Sequence, residues 1–104
     1  MRRRILFRPA ADRDLEEQAE HLARNARLEA AVSFYAAVEE TLGLIATQPR
    51  LGTLRRLRNP LLVGVRMCVV KGFEKHLIFC RQIEAGVEVL RVLHGARDME
   101  RLFE

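Results

Sequence analysis

The 104-residue sequence lacks the residue patterns of the common nucleophilic, metal and phosphate-binding sites. Its one serine, Ser33, lies in a predicted helix with no glycine-rich turn beside it, which excludes a serine nucleophile. The three histidines and two cysteines do not have the spacing of metal ligands, and no glycine-rich phosphate loop precedes a helix. We therefore predict no metal and no cofactor, and only metal-free chemistry stays open.

The sequence also lacks a long apolar run. No stretch approaches the about 18 apolar residues of a membrane helix. The apolar run after the basic start, Ile5–Phe7, is too short for a signal-peptide core. Cys68 and Cys80 fall in predicted strands, as buried reduced thiols do. Because a chain of this length forms one domain, we expect a single cytoplasmic domain over residues 1–104, with no membrane partner.

Basic residues are concentrated in the middle of the chain. Between Arg50 and Arg81 there are eight lysines and arginines against one acid, Glu74, so this segment carries +7 and the remainder −3 of the net +4. The first predicted helix is instead rich in acids. This segregation favours a basic face that binds either nucleic acid or an acidic protein segment. The interleaved aromatic residues of single-strand binders are nearly absent.

The spacing of apolar residues changes along the chain from a helical to a strand period. A short strand over Arg3–Arg8 precedes a helix that begins at Pro9, and a second helix ends at Gln48-Pro-Arg-Leu-Gly52. Only Asn25-Ala-Arg27 separates the two helices, so they are predicted to fold back as an antiparallel hairpin. Three strands joined by short turns are then predicted at Leu61–Val70, His76–Ile83 and Val87–His94. We predict an α+β domain of two layers, an N-terminal strand and a helical hairpin packed on an antiparallel β-sheet.

The last predicted strand is apolar at almost every position and runs into the polar sequence His94-Gly-Ala-Arg-Asp98. Such continuous apolar character predicts a central strand that is covered on both faces, or on one face and part of the other. His94 is either a polar end of this strand or a functional imidazole. The residues after it, Met99–Glu104, are predicted to form one last helical turn.

Three arginines, Arg66, Arg81 and Arg91, stand inside apolar strands, where an unpaired charge is costly. In one interpretation they face a cleft and, with His94 and Arg97, stabilise the charged intermediate of a metal-free RNA cleavage. In the other they form salt bridges with acids of the helices. Acids available for such pairs are Asp14, Glu39 and Glu40, and candidate bases for cleavage are Glu74, Glu88 and Asp98.

Five segments, in order along the chain, carry a resemblance to a known family. They are Arg8-Pro-Ala-Ala-Asp-Arg-Asp-Leu15, Gln48-Pro-Arg-Leu-Gly52, Gly64-Val-Arg66, Gly72-Phe-Glu-Lys-His-Leu-Ile-Phe79 with Arg81, and Val89-Leu-Arg-Val-Leu-His-Gly-Ala-Arg-Asp98. Together they resemble the ParE toxins of the RelE/ParE superfamily, the toxin halves of bacterial type II toxin–antitoxin modules. Two positions depart from the family pattern: Arg8 stands where a serine or threonine cap is common, and Cys80 where an aromatic residue often precedes the strand arginine.

The two branches of this superfamily differ in function. RelE-like members cut mRNA at the ribosome with basic strand residues and a tyrosine, histidine or glutamate near the C-terminus. In this sequence the one tyrosine, Tyr35, belongs to a predicted core stripe of a helix, and Lys71 and Lys75 are the only lysines. The resemblance therefore implies the ParE branch, whose members poison DNA gyrase by binding and need no catalytic residue.

The resemblance also implies partners. A ParD-like antitoxin neutralises such a toxin by wrapping an acidic C-terminal segment around its basic groove, and the hetero-oligomeric complex binds operator DNA through the antitoxin to stabilise a plasmid or chromosome. The alternatives are a ribosome-dependent mRNA interferase of the RelE type and a non-toxic, antitoxin-binding co-regulator. Candidate residues for antitoxin or target binding are Arg55, Arg56, Arg58, Arg66, Arg81, Arg91, His94 and Arg97.

Overall fold

A computed structural model of the protein describes residues 4–95. Its elements in chain order are β1 (Arg4–Phe7), α1 (Pro9–Asn25), α2 (Leu28–Thr47), β2 (Thr53–Leu54), a 3₁₀ turn (Pro60–Leu62), β3 (Arg66–Val70), β4 (Phe73–Ile83) and β5 (Gly86–His94). The described strands form one sheet in the order β1-β5-β4-β3-β2, and both helices pack on one face of it. The predicted α+β fold, with its N-terminal strand and helical hairpin, is confirmed.

The sheet is antiparallel except at one edge. β3, β4 and β5 form the predicted antiparallel meander, whereas β1 lies parallel to β5, with Arg4 opposite Gly86 and Phe7 opposite Val89. The predicted antiparallel sheet is confirmed for β3, β4 and β5, whereas no pairing was predicted for the N-terminal strand, which adds a parallel edge. Short turns fix the relative direction of the meander strands, but β1 and β5 are far apart in sequence and no turn relates them.

β3 is shorter than the sequence pattern predicts. The predicted strand Leu61–Val70 begins only at Arg66, because Pro60 starts a 3₁₀ turn and Gly64 has a positive φ of 85°. The apolar residues before β3 therefore belong to a loop. Leu62 and Val65 of that loop are buried against the sheet, which explains why the segment is as apolar as a strand.

Apolar side chains fill both faces of the sheet. On the inner face, residues of α1 and α2, such as Leu15 and Phe34, pack with Val89 and Val92 of β5. On the outer face, Leu90 of β5 packs within a second cluster beneath the loop that precedes β3. The prediction that the last strand is covered on both sides is therefore confirmed. Burial of each such side chain stabilises the fold by about 1.5–3 kcal/mol. In addition to the two predicted layers, the loop that precedes β3 covers the outer face of the sheet.

A β-bulge in β5 lies where α1 crosses it. Phe79 of β4 pairs with Arg91 and Cys80 pairs with Val89, so Leu90 is an extra residue in β5. β1 pairs with β5 only as far as Val89. Beyond that point, two side chains of α1 make hydrogen bonds with the backbone of β5. The Asp14 carboxylate accepts the Val92 N–H at 2.9 Å, and the Gln18 amide donates to the Val92 carbonyl at 2.6 Å.

The first helix begins as the sequence suggests. Pro9 occupies the first turn, and the Arg8 side chain makes no capping hydrogen bond. The Arg8 backbone N–H instead donates to the Val89 carbonyl at 3.0 Å, which connects the start of α1 to β5.

Some predictions lie beyond the described part of the chain. Arg97, Asp98 and the predicted turn Met99–Glu104 fall outside residues 4–95. Within that range, no helix is long and apolar enough to cross a membrane, and no group of three or more histidine, cysteine, aspartate or glutamate side chains is placed to hold a metal ion.

Candidate functional site

The basic loop, which we define as residues 50–66, connects α2 to β3 at one end of the sheet. It contains five arginines and no acid. Its backbone is held at several points: the Arg55 N–H donates to the Val65 carbonyl at 2.8 Å, and the Asn59 side chain accepts the Leu61 N–H at 2.9 Å. Arg56 and Arg58 are exposed, and no hydrogen bond or ion pair to them occurs within residues 4–95. The loop therefore presents two unpaired cations from a fixed backbone.

Arg91 is a structural residue. Its guanidinium forms a bidentate pair with the Asp14 carboxylate, with Nε 2.7 Å from Oδ2 and Nη2 2.9 Å from Oδ1. The hydrogen bonds that Arg91 donates to Asp14 raise the pKa of Arg91 and outweigh its partial burial. Of the two interpretations for this arginine, the salt bridge to a helix acid is confirmed.

Arg81 is also engaged within the fold, although its partner is on a strand. Its Nε donates to Glu88 at 2.9 Å, and its Nη1 donates to the Leu61 carbonyl at 2.6 Å. Glu88 accepts a second hydrogen bond from Arg8 at 3.3 Å. Burial opposes ionisation of Glu88, but the hydrogen bonds from Arg81 and Arg8 prevail and lower its pKa. Glu88 is thus a paired carboxylate and a weak candidate for a general base.

Arg66 donates hydrogen bonds to backbone carbonyl groups, and the Arg55 Nε has no hydrogen-bond partner among the described residues. Arg66 Nη1 donates to the carbonyls of Arg50 and Gly52, at 3.0 and 3.2 Å, and its charge has no carboxylate partner within the described chain. The Arg55 Nε is buried without a hydrogen-bond partner among residues 4–95. The predicted pairing of strand arginines with helix acids therefore does not extend to Arg66.

The two histidines at the other end of the sheet lie side by side. His76 and His94 are paired across β4 and β5, with ring centroids 4.8 Å apart. His94 is exposed, whereas His76 is buried beside Phe34 and donates from Nδ1 to Gln18 Oε1 at 2.6 Å. Burial, together with the positive charges that His94 and His21 can carry, lowers the pKa of His76 to about 4. His76 is therefore neutral near pH 7.

Tyr35 and the two cysteines differ in their exposure to solvent. The prediction that Tyr35 belongs to the core was wrong, since it is 44% exposed on the outer surface of α2. Cys68 and Cys80 are free and buried, as predicted. Hydrogen bonding with Cys68, and burial, raise the pKa of the Cys80 thiol, which keeps it protonated.

Two of the concavities beside the basic loop differ in character. One, of about 240 Å³, lies at the end of the sheet and is lined by Arg50, Arg66 and Arg81 together with apolar residues. The other, of about 470 Å³, runs between α2 and the outer edge of β3, where Leu44 and Val69 are exposed. The first is cationic and the second is largely apolar. The two together suit a partner that is both acidic and apolar.

Comparison with known proteins identifies the family. The model of the family described as "ParE toxin of type II toxin-antitoxin system, parDE" matches residues 5–99. The chain belongs to the ParE toxin family. A solved structure described as "Chromosomal ParDE TA system from P. aeruginosa" superposes with a TM-score of 0.72 at 17% identity, covering 91% of this chain and 98% of that one. At this identity the likeness concerns the fold of the ParE family. No curated protein matches the chain.

Sequence reasoning missed two residues, one at the cationic concavity and one between α1 and the sheet. Arg50 was not among the candidate residues, yet it lines the cationic concavity beside exposed Leu54 and Val63. The signal was present in the sequence as apolar residues that alternate with arginines throughout the basic loop. Gln18 was missed as well, because a glutamine in a polar helix face gives no indication of the strand backbone that it contacts.

Proposed function

We propose that this ParE-family toxin acts by binding DNA gyrase and that a ParD-like antitoxin neutralises it. Family membership supports both parts, because ParE toxins, by resemblance, poison gyrase and are held inactive by an antitoxin. The observation that carries the choice of binding over catalysis is the state of the strand arginines. Two of the three strand arginines, Arg91 and Arg81, are paired with Asp14 and Glu88, so they are not free to stabilise a charged phosphate intermediate.

The other groups that a metal-free nuclease needs are also poorly placed. Glu88 is held ionised by two arginines, and buried His76 is neutral near pH 7 and hydrogen-bonded to Gln18. Tyr35 is on the outer surface of the helical layer. Among the described residues, no acid and base therefore face one another across a phosphate-sized site.

The basic loop supports the antitoxin part of the proposal. Arg56 and Arg58 are exposed and unpaired in the described chain, and Leu61 and Val63 beside them are 75% and 77% exposed. An acidic, amphipathic segment that orders on binding would satisfy both features. Its affinity would fall with salt without vanishing, because salt screens the charges but leaves apolar burial intact. We propose further that the resulting hetero-oligomer binds operator DNA through the antitoxin, in the cytoplasm.

The test of the gyrase target is a supercoiling assay with purified toxin. We expect inhibition of supercoiling and accumulation of cleaved DNA complex, both reversed by the antitoxin. Unchanged supercoiling at saturating toxin would refute the gyrase proposal. Primer extension on translated mRNA in the same preparation tests the nuclease alternative: ribosome-dependent cuts that disappear in Arg81→Ala and His94→Ala would establish it.

A further inference from the structure

The cationic concavity has a composition that selects its ligand. It lies where α2 ends and β3 begins, with a volume of about 240 Å³. Arg50, Arg66 and Arg81 line it, and no aspartate or glutamate of the described chain does so. Because ligand pockets for whole small molecules are about 300–1,000 Å³, this one is sized for a side chain or a fragment.

Part of the positive charge of the pocket is fixed in place, and most of it is uncompensated. Arg66 is held by the carbonyls of Arg50 and Gly52, which accept hydrogen bonds without cancelling a full charge. Glu88 neutralises Arg81, whereas no carboxylate in residues 4–95 pairs with Arg66 or Arg50. The sequence from 41 to 73 contains no acid that could supply one locally. A guanidinium held in position before binding loses little entropy when an anion arrives.

The rest of the lining favours a carboxylate on a peptide over a nucleic-acid phosphate. Leu54 and Val63 lie at the pocket and are 49% and 77% exposed, so apolar surface stands directly beside the charge. Among the described residues, no aromatic side chain on which a base could stack lines the pocket. Guanidinium groups match the planar, two-oxygen geometry of a carboxylate.

We propose that this pocket binds the carboxylate of an aspartate or glutamate side chain that has an apolar neighbour in an acidic partner peptide. The carboxylate lies between Arg50 and Arg66, and the apolar neighbour covers Leu54 and Val63. Identification of that peptide with the antitoxin rests on the proposed function, but the chemistry of the pocket does not depend on gyrase.

The experiment titrates the full chain, labelled for NMR, with a capped hexapeptide of alternating glutamate and leucine. Its twin, in which glutamine replaces glutamate, is the matched control. We expect shifts of backbone signals at the pocket with the acidic peptide and at least about tenfold weaker binding of the amide twin, as loss of a charge-assisted hydrogen bond implies. Equal binding of the two peptides would overturn the proposal.

Variants then locate the site. Arg50→Gln, at an exposed side chain with no hydrogen bond within the described chain, should weaken the acidic peptide about tenfold. Arg13→Gln removes the same charge from an exposed position on α1 and should leave binding nearly unchanged. Equal losses in the two variants would mean diffuse attraction and would overturn the assignment. Leu54→Ser should weaken the acidic peptide through its apolar part, and no effect there would refute the apolar half of the site.

Other occupants give distinct results. Inorganic phosphate or a single-stranded oligonucleotide that shifts the same signals more strongly than the acidic peptide would make this a phosphate site and would refute the carboxylate assignment. Toxin that binds the peptide in the pocket yet leaves supercoiling unchanged would contradict the gyrase target alone. Toxin that inhibits gyrase and is neutralised by its antitoxin, with no peptide binding in the pocket, would contradict this inference alone.

Discussion

Replacement of Asp14 by alanine tests whether one carboxylate holds α1 on the sheet. Asp14 accepts two hydrogen bonds from Arg91 and one from the Val92 N–H, and its side chain is 10% exposed. The truncation leaves the Arg91 charge and the Val92 N–H without this partner. Breaking a buried pair costs about 3–5 kcal/mol, and an unsatisfied buried N–H about 1–3 kcal/mol. Because Arg91 is 24% exposed and can regain water, we expect a loss of about 3 kcal/mol.

The measurement is equilibrium denaturation by urea, with the free energy of unfolding compared at a fixed m-value. Thermal unfolding should shift downwards by more than about 10 °C for a domain of this size. Asp12→Ala is the matched control, because Asp12 is exposed in the first turn of the same helix and its favourable effect on the helix dipole is about 0.3–1 kcal/mol. If Asp14→Ala loses no more stability than Asp12→Ala, the anchoring role assigned to Asp14 is refuted. The double variant Asp14→Leu, Arg91→Leu should lose less than the sum of the single losses.

Three further predictions follow from other parts of the structure. The pKa of His76 is about 4 in the folded protein against an ordinary 6.5, so the unfolded chain takes up this proton at a higher pH than the folded protein does. The stabilisation is complete above pH 6.5, and the free energy of unfolding should fall by up to about 3 kcal/mol as the pH is lowered to 4. Denaturation at several pH values should show a weaker pH dependence of stability in His76→Gln, and an identical pH dependence would refute the assignment. Gly86→Ala would place a Cβ against the Arg4 backbone at a φ of 153° and should lower the free energy of unfolding by about 2–4 kcal/mol. Gly43→Ala, with open space around it in α2, should instead raise the free energy of unfolding by about 0.5–1 kcal/mol. Urea denaturation compares the two variants, and equal effects would contradict the close approach of β1 to Gly86. Arg56→Glu with Arg58→Glu should weaken antitoxin binding at least about tenfold in calorimetry, while Arg13→Glu with Arg27→Glu should not; equal weakening would show that net charge alone matters.

The sequence predicted the fold because the local signals were strong and agreed with one another. Helical spacing of apolar residues, Pro9 at the start of α1, and glycine turns between β-branched segments each specify local structure directly. The segment Leu61–Val65 was misjudged as strand for a physical reason. Apolar residues are needed both in a buried strand and in a loop that covers a sheet, and composition does not distinguish the two.

The site was less predictable because it depends on pairings between distant segments. The sequence marked Arg66, Arg81 and Arg91 as unusual, but it could not say that they would end with two carbonyls, with Glu88 and with Asp14 respectively. Tyr35 falls on the apolar stripe of α2 by spacing alone. It is exposed because α2 is apolar around much of its circumference, so the stripe did not define a single buried face.

The attachment of Asp14 and Gln18 to Val92 has a consequence for self-association. A strand edge with free N–H and C=O groups can recruit the edge of another molecule, and such growth leads to aggregation. β1 covers β5 only to Val89, and the side chains of α1 occupy the backbone groups of Val92 beyond it. Side chains of a helix thus occupy part of an edge that the four-residue strand β1 does not cover. The Val92 backbone is closed to an added strand, and strand addition among the described strands is left to the two outermost ones: β1, and β2, which pairs with only Arg66 and Met67 of β3.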